Sequence, residues 1–221
     1  MSQSEPASDE GLPNENPNRP REYHGARTLI AAVGVVVAVA AALWLTLLRT
    51  TPEAEGGVVE LPPELVVDGR QVGSRIGDLA PDFELQTLEG DDFRLSDYRG
   101  QPILINFWAS WCGPCRREVP ALIRAQTEHA ERGLVIVGVN IEEADAPAEG
   151  FASEFRINYV IPMDYSGAVF RAYGGGGPNG PPRSFFVDPD GVITRIYAGQ
   201  APDELITEHT QEFAEQFGRA P

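Results

Sequence analysis

The chain has 221 residues, room for one domain of ordinary size plus appendages, and its 42% hydrophobic content suits a packed core. It carries 33 acidic against 17 basic residues, a formal net charge of −16, which excludes general nucleic-acid binding because that needs a basic surface. Every basic residue is arginine, and two cysteines among 221 residues exclude a disulfide-stapled scaffold, so the core must hold the fold by itself.

Residues 1–27 are rich in Pro, Asn, Ser and Glu and nearly devoid of large apolar side chains. Such a segment buries too little surface to offset its ordering entropy, and a disordered tail is expected. Residues 28–48 are uncharged and apolar throughout. At 1.5 Å per residue, about 21 residues span a hydrocarbon core of roughly 30 Å, which predicts a single transmembrane helix with Trp44 near one interface. A cleavable signal peptide is the alternative, with Ala38-Val39-Ala40 as a small-residue site. The long acidic leader and an apolar stretch well beyond about 7–15 residues argue for an uncleaved anchor. Arg19, Arg21 and Arg27 precede the span and Arg49 alone follows closely, so the positive-inside rule puts the N-terminus in the cytoplasm and the rest outside.

Residues 49–72, with Pro52, Gly56-Gly57 and Pro62-Pro63, read as a partly stiff linker, and the folded domain is expected over 73–221. Residues 77–85 and 93–100 flank a Glu89-Gly90-Asp91 turn and predict a short hairpin. An apolar run, Ile103-Leu104-Ile105-Asn106-Phe107-Trp108, then leads to Cys112-Gly113-Pro114-Cys115. The run has strand character, and Gly113 and Pro114 suit the tight entry and first turn of a helix. That helix is expected over about 114–131, kinked at Pro120. Residues 134–140 form a near-continuous apolar strand of the parallel-sheet kind. A helix over about 145–156, a short strand at 158–161 and a short helix over about 166–173 follow. Residues 184–188 and 192–197 surround Pro189-Asp190-Gly191, a turn signal for an antiparallel hairpin, and a last helix runs from Pro202 to about Phe217. Strands and helices in this order predict an α/β fold with helices on both faces of a sheet.

The two cysteines sit two residues apart at a strand-to-helix junction, where unpaired N–H groups and the positive end of the helix dipole favour a thiolate. That placement predicts thiol–disulfide exchange, with Cys112 attacking and Cys115, one turn deeper, resolving the mixed disulfide. A zinc site needs about four ligands, whereas His24, His129 and His209 are scattered. A purely structural disulfide over so short a loop stabilises little. A copper-holding docking module would call for methionines, and the chain has only Met1 and Met163. No metal or other cofactor is therefore expected beyond the redox-active Cys112–Cys115 pair. Residues 174–180 lack the Lys-Ser/Thr of a phosphate loop and are expected to form a loop beside the site. His129 is expected at the solvated surface, Trp108 in the core and Trp111 facing substrate.

Trp111-Cys112-Gly113-Pro114-Cys115 resembles the thioredoxin active site, and Asn106-Phe107-Trp108-Ala109-Ser110-Trp111-Cys112 with Glu118-Val119-Pro120 is similar to the membrane-anchored TlpA/ResA/CcmG branch of that superfamily. The similarity covers residues 73 to about 217. It implies a thioredoxin-like fold, a mixed central sheet with flanking helices and an N-terminal β-hairpin extension. It further implies a substrate-binding surface from Trp111, Gly113, Pro114, Pro181, Pro182 and Arg183, with Pro182 in a cis bond facing the cysteines. Arg183 departs from the family, where threonine or glutamate is common; a cation there would favour the thiolate and acidic partners. Asn106 stands where thioredoxins carry a buried aspartate, and asparagine cannot titrate, so the resemblance assigns proton exchange between the cysteines to Glu118. The activity implied is reduction of disulfides in client proteins such as apocytochrome c or copper-site proteins, by a monomer recycled by a membrane electron donor of the DsbD/CcdA type. Ala80-Pro81-Asp82-Phe83 also resembles the lead-in of peroxiredoxins, which leaves a peroxidase as the alternative.

Overall fold

The computed structural model describes residues 36–44 and 56–218. Residues 36–44 are helical, and the rest of the expected anchor over 28–48, like the tail over 1–27, lies outside the described residues. Among the described residues no helix is long and apolar enough to cross a membrane. The second compact unit of the chain, from Ala54 onward, holds the cysteines.

Its centre is β4 (Ile103–Trp108), all six residues of which are buried. Neighbouring strands order as β6-β5-β4-β7-β8, with β5 at Val135–Ile141, β6 at Met163–Asp164, β7 at Arg183–Val187 and β8 at Ile193–Ala198. The β4–β5 and β5–β6 pairs are parallel; β4–β7 and β7–β8 are antiparallel. The fold is thus a mixed thioredoxin-like sheet with helices α1 (Gly113–His129), α2 (Asp145–Phe155), α3 (Ala168–Ala172) and α4 (Asp203–Phe217). Alternation along β4 divides its side chains between two layers. Ile103, Ile105 and Phe107 join a core containing Phe170, Tyr173 and Phe185, whereas Leu104 joins Leu122 of α1 and Ile206 and Phe213 of α4. Asn106 falls on that second face, a polar residue in an apolar strand and almost fully buried.

The expected hairpin forms between β2 (Phe83–Gln86) and β3 (Asp92–Arg94), with Gly90 at φ +93° in the turn between them. Residues 57–72, assigned to a linker from their prolines and glycines, correct that boundary. β1 (Gly57–Val58) adds a third strand antiparallel to β2, Leu61 is buried with Leu79 and Val192, and Val72 bridges Leu79. Prolines tolerate an edge position beside a sheet as well as a linker, so composition did not separate the two.

Three further expectations shift. The strand expected at 158–161 reduces to one bridge between Val160 and Val137, and regular pairing resumes at Met163 opposite Asn140. Pro162, which has no N–H, separates the two. Helix α1 runs through Pro120 in an unbroken 17-residue helix, then tightens into a 3-10 turn at Ala130–Arg132 and stops at Gly133, φ +90°. His129 is buried rather than solvated; α4 packs along α1, and burial lowers the imidazole pKa below its ordinary value.

Candidate active site

The end of β4 delivers the cysteines to the first turn of α1. Cys112 is the N-cap, and its sulfur accepts the Cys115 backbone N–H at 3.1 Å. Cys112 and Cys115 are disulfide-bonded, with Cα atoms 5.3 Å apart. An N–H aimed at the Cys112 sulfur from a helix N-terminus stabilises negative charge there when the bond is open. Cys112 is 3% exposed and Cys115 1%, so the first cysteine lies hardly less deep than the second while the two are bonded. Trp111 beside them is 62% exposed, Gly113 is exposed and Pro114 is half-buried.

The cysteine loop is clamped from just beyond the end of β5. The Glu143 carboxylate accepts the Ser110 N–H at 2.7 Å, the Ser110 hydroxyl at 2.5 Å and the Asn140 amide at 2.8 Å. The sequence reading missed Ser110, Asn140 and Glu143, because a glutamate three residues past an asparagine at a strand end carries no signal until the β4–β5 register brings Asn140 opposite Trp108.

On the α1 face, Glu118 is 1% exposed. One carboxylate oxygen accepts the Ala201 N–H; the other lies 3.4 Å from the Asn106 amide, which donates at 2.9 Å to the Ser184 hydroxyl. Burial pushes the Glu118 pKa up to about 7, outweighing these two hydrogen bonds. A carboxyl three residues past Cys115 on one helix, poised near neutrality, can exchange a proton at physiological pH. Ser184 and Ala201 are further members that the sequence did not reveal.

The Pro181–Pro182 bond is cis, and Pro182 is buried while Pro181 is half-buried. Register pairs Arg183 with Phe107, so Pro182 lies level with the end of β4, from which the cysteine loop departs. The Gly199 N–H closes on the Pro182 carbonyl at 2.9 Å. Arg183 is half-buried, with its guanidinium carbon 5.6 Å from the centre of the Phe185 ring. Among the described residues no carboxylate pairs with it, its Nε has no partner, and burial lowers its pKa. The glycine-rich loop folds back on itself through paired hydrogen bonds between Gly176 and Asn179. Among the described residues no group of His, Cys, Asp and Glu assembles that could hold a metal ion.

Comparison with known proteins places this arrangement. Residues 76–196, more than half of the chain, match the AhpC/TSA family. The chain belongs to that family. Within it, this thioredoxin-like chain is 37% identical over 137 residues to the thiol-disulfide oxidoreductase ResA of Geobacillus thermodenitrificans, an alignment covering 62% of this chain and 76% of the relative. The thioredoxin-like protein YneN of Bacillus subtilis is 36% identical over 135 residues, covering 59% and 75%. Among solved structures, a thiol:disulfide interchange protein of the thioredoxin family from Chlorobium tepidum superposes with a TM-score of 0.56 at 26% identity, covering 65% of this chain and 99% of that one. StoA of Bacillus subtilis superposes with a TM-score of 0.50 at 26% identity, covering 58% and 96%. With its Cys112-Gly113-Pro114-Cys115 pair in this context, the AhpC/TSA chain is a thiol-disulfide oxidoreductase.

Proposed function

We propose that this oxidoreductase is tethered to the cytoplasmic membrane by residues 28–48, with residues 1–27 as a cytoplasmic tail, and reduces disulfides of client proteins on the extracytoplasmic side. The reduced enzyme attacks with the Cys112 thiolate on one sulfur of a client disulfide, forming a mixed disulfide and expelling one client thiolate. The Cys115 sulfur, its proton taken by the Glu118 carboxylate, then attacks the Cys112 sulfur. The Cys112–Cys115 bond forms, the second client thiolate leaves, and two electrons have passed to the client. A membrane dithiol donor of the DsbD/CcdA type reduces the pair again, and Glu118 returns the proton to Cys115. The client's extended segment docks over Trp111, Gly113 and Pro114 and along Pro181 and Pro182, with Arg183 favouring acidic clients. Apocytochrome c and copper-site proteins are the client classes, and the chain works as a monomer.

The observation that carries this reading is the pairing of a thiolate-stabilising N–H at Cys112 with a buried carboxyl, titrating near 7, one helical turn past Cys115. Its test is the reduction potential, by equilibration against dithiothreitol. A value near about −270 mV supports the reductive direction, and a value near about −120 mV reverses it to disulfide donation. Replacing Cys115 by Ser should trap clients as mixed disulfides on Cys112, and a trap yielding none would remove the client assignment.

A further inference from the structure

Tyr159 is a buried polar group on the α1 face that the dithiol chemistry leaves unused. It is 7% exposed, and among the described residues its buried hydroxyl has no hydrogen-bond partner. Its ring lies against Gly138, where an added Cβ would come within 2.5 Å of the ring's Cε2. Gly138 is the register partner of Asn106, and the Asn106 amide reaches Glu118. The ring shares its apolar cluster with Leu104, Leu122 and Ile136, so Tyr159, Asn106 and Glu118 lie on one face of the sheet.

The groups facing Glu118 can be named from each element packed against it. Arg117 on its own helix is engaged by Gln200 and the Gly113 carbonyl, and Asp203 at the start of α4 pairs with Arg124. The loop before α4 supplies the Ala201 N–H, β4 supplies Asn106, and β7 supplies Ser184 behind it. From the chain before β6 comes Tyr159, whose phenol is disfavoured as an anion by burial and by the Glu118 charge. Among the described residues one Glu118 oxygen thus has only the Asn106 amide at 3.4 Å as donor, while a hydroxyl in the same layer lacks an acceptor.

We propose that Tyr159 is a positioning residue for Glu118: its O–H dipole, held in the same dry layer, favours the carboxylate and sets the pH at which Glu118 releases its proton. In that layer a dipole acts on a charge with little screening. A phenylalanine would pack on Gly138 equally well and would carry no unpaired hydroxyl, so packing alone does not account for the tyrosine. The inference rests on the proton role proposed for Glu118.

The test measures the reduction potential of the full chain in detergent as a function of pH, for the wild type, Tyr159→Phe, Glu118→Gln and the double variant. The wild-type profile is expected to bend where Glu118 titrates. Tyr159→Phe should move that bend upward by about one pH unit, with an unfolding temperature equal to or above wild type. Glu118→Gln and the double variant should give one and the same profile. A bend lost in Glu118→Gln but unmoved in Tyr159→Phe would overturn this inference alone. A bend that survives in Glu118→Gln would remove the proton role of Glu118 and this inference with it.

Discussion

Folded Glu118 titrates near 7, against 4.5 for an ordinary glutamate. Between those pH values the folded chain holds a proton that the unfolded chain has released. Stability therefore falls as pH rises from about 4.5 to about 7 and is level above that, a contribution on the order of 3 kcal/mol. Glu118→Gln keeps a carbonyl to accept the Ala201 N–H and removes the titration. Relative to wild type it should gain stability at pH values above 7 and none at low pH, as read by urea unfolding across the range. A constant difference between the two proteins would show that burial does not hold this carboxyl neutral. Glu143 makes a second prediction. Glu143→Ala leaves the Ser110 N–H and the Asn140 amide without their acceptor, a loss of about 1–3 kcal/mol in thermal stability. Displacing the loop that carries Cys112 should also slow exchange with a small disulfide by about tenfold or more. Unchanged kinetics would mean that the clamp is structural only. Neither Glu143 nor Ser184 was legible from the sequence, since each acts through a partner brought near by strand register. Glu118 could be singled out because it shares a helix with Cys115, because Asn106 cannot titrate and because the resemblance points to it.

At the scale of elements, a close approach lies where β5 passes under Trp108 and Tyr159. A Cβ at Gly138 would meet the Tyr159 ring at 2.5 Å and the Trp108 Nε1 at 3.1 Å, and the Trp108 indole N–H already donates to the Gly138 carbonyl at 2.9 Å. Gly138→Ala should cost about 1–3 kcal/mol in chemical denaturation by forcing the two rings apart. A neutral substitution would mean that the rings have room to give. The lead-in before β2 is a different case. Leu61 is 7% exposed, beneath Leu79 and Val192, so Leu61→Ala should lose about 2–5 kcal/mol if residues 57–72 belong to the folded unit. A loss near zero would return that stretch to linker status. Helices α1, α2 and α4 were legible to within a few residues because apolar periodicity and turn residues mark them. The short β6 was misplaced because Pro162 has no N–H to give to the ladder, although its carbonyl still accepts the Asn140 N–H of β5 at 2.9 Å.

For the molecule as a whole, the reading of residues 28–48 as an anchor makes a fractionation experiment decisive. The full chain should sediment with membranes and resist extraction by salt, and a version beginning at Ala54 should stay in solution while retaining disulfide exchange. A full chain that remains soluble would remove the tether and the extracytoplasmic assignment together. The net charge of −16 adds a constraint on partners, since acidic clients would meet long-range repulsion at low salt. Arg183, half-buried over Phe185 and without a carboxylate partner among the described residues, is the local exception on which such clients would depend.

The sequence by itself determined the chemistry and the class of fold. A cysteine pair at a strand-to-helix junction is a local pattern, and local patterns carry their geometry with them: Gly113 and Pro114 start the helix, and the helix places Cys115 and Glu118 on one side. The cis bond before Pro182 was also legible, through the resemblance of the phrase around it. Tertiary structure alone decided what surrounds those groups. The depth of Cys112, the dry layer that lifts Glu118, the Glu143 clamp and the Tyr159 hydroxyl all depend on which strands lie side by side. Burial and hydrogen-bond partners across a sheet are set by register between residues far apart in the chain, and no spacing along the sequence encodes them.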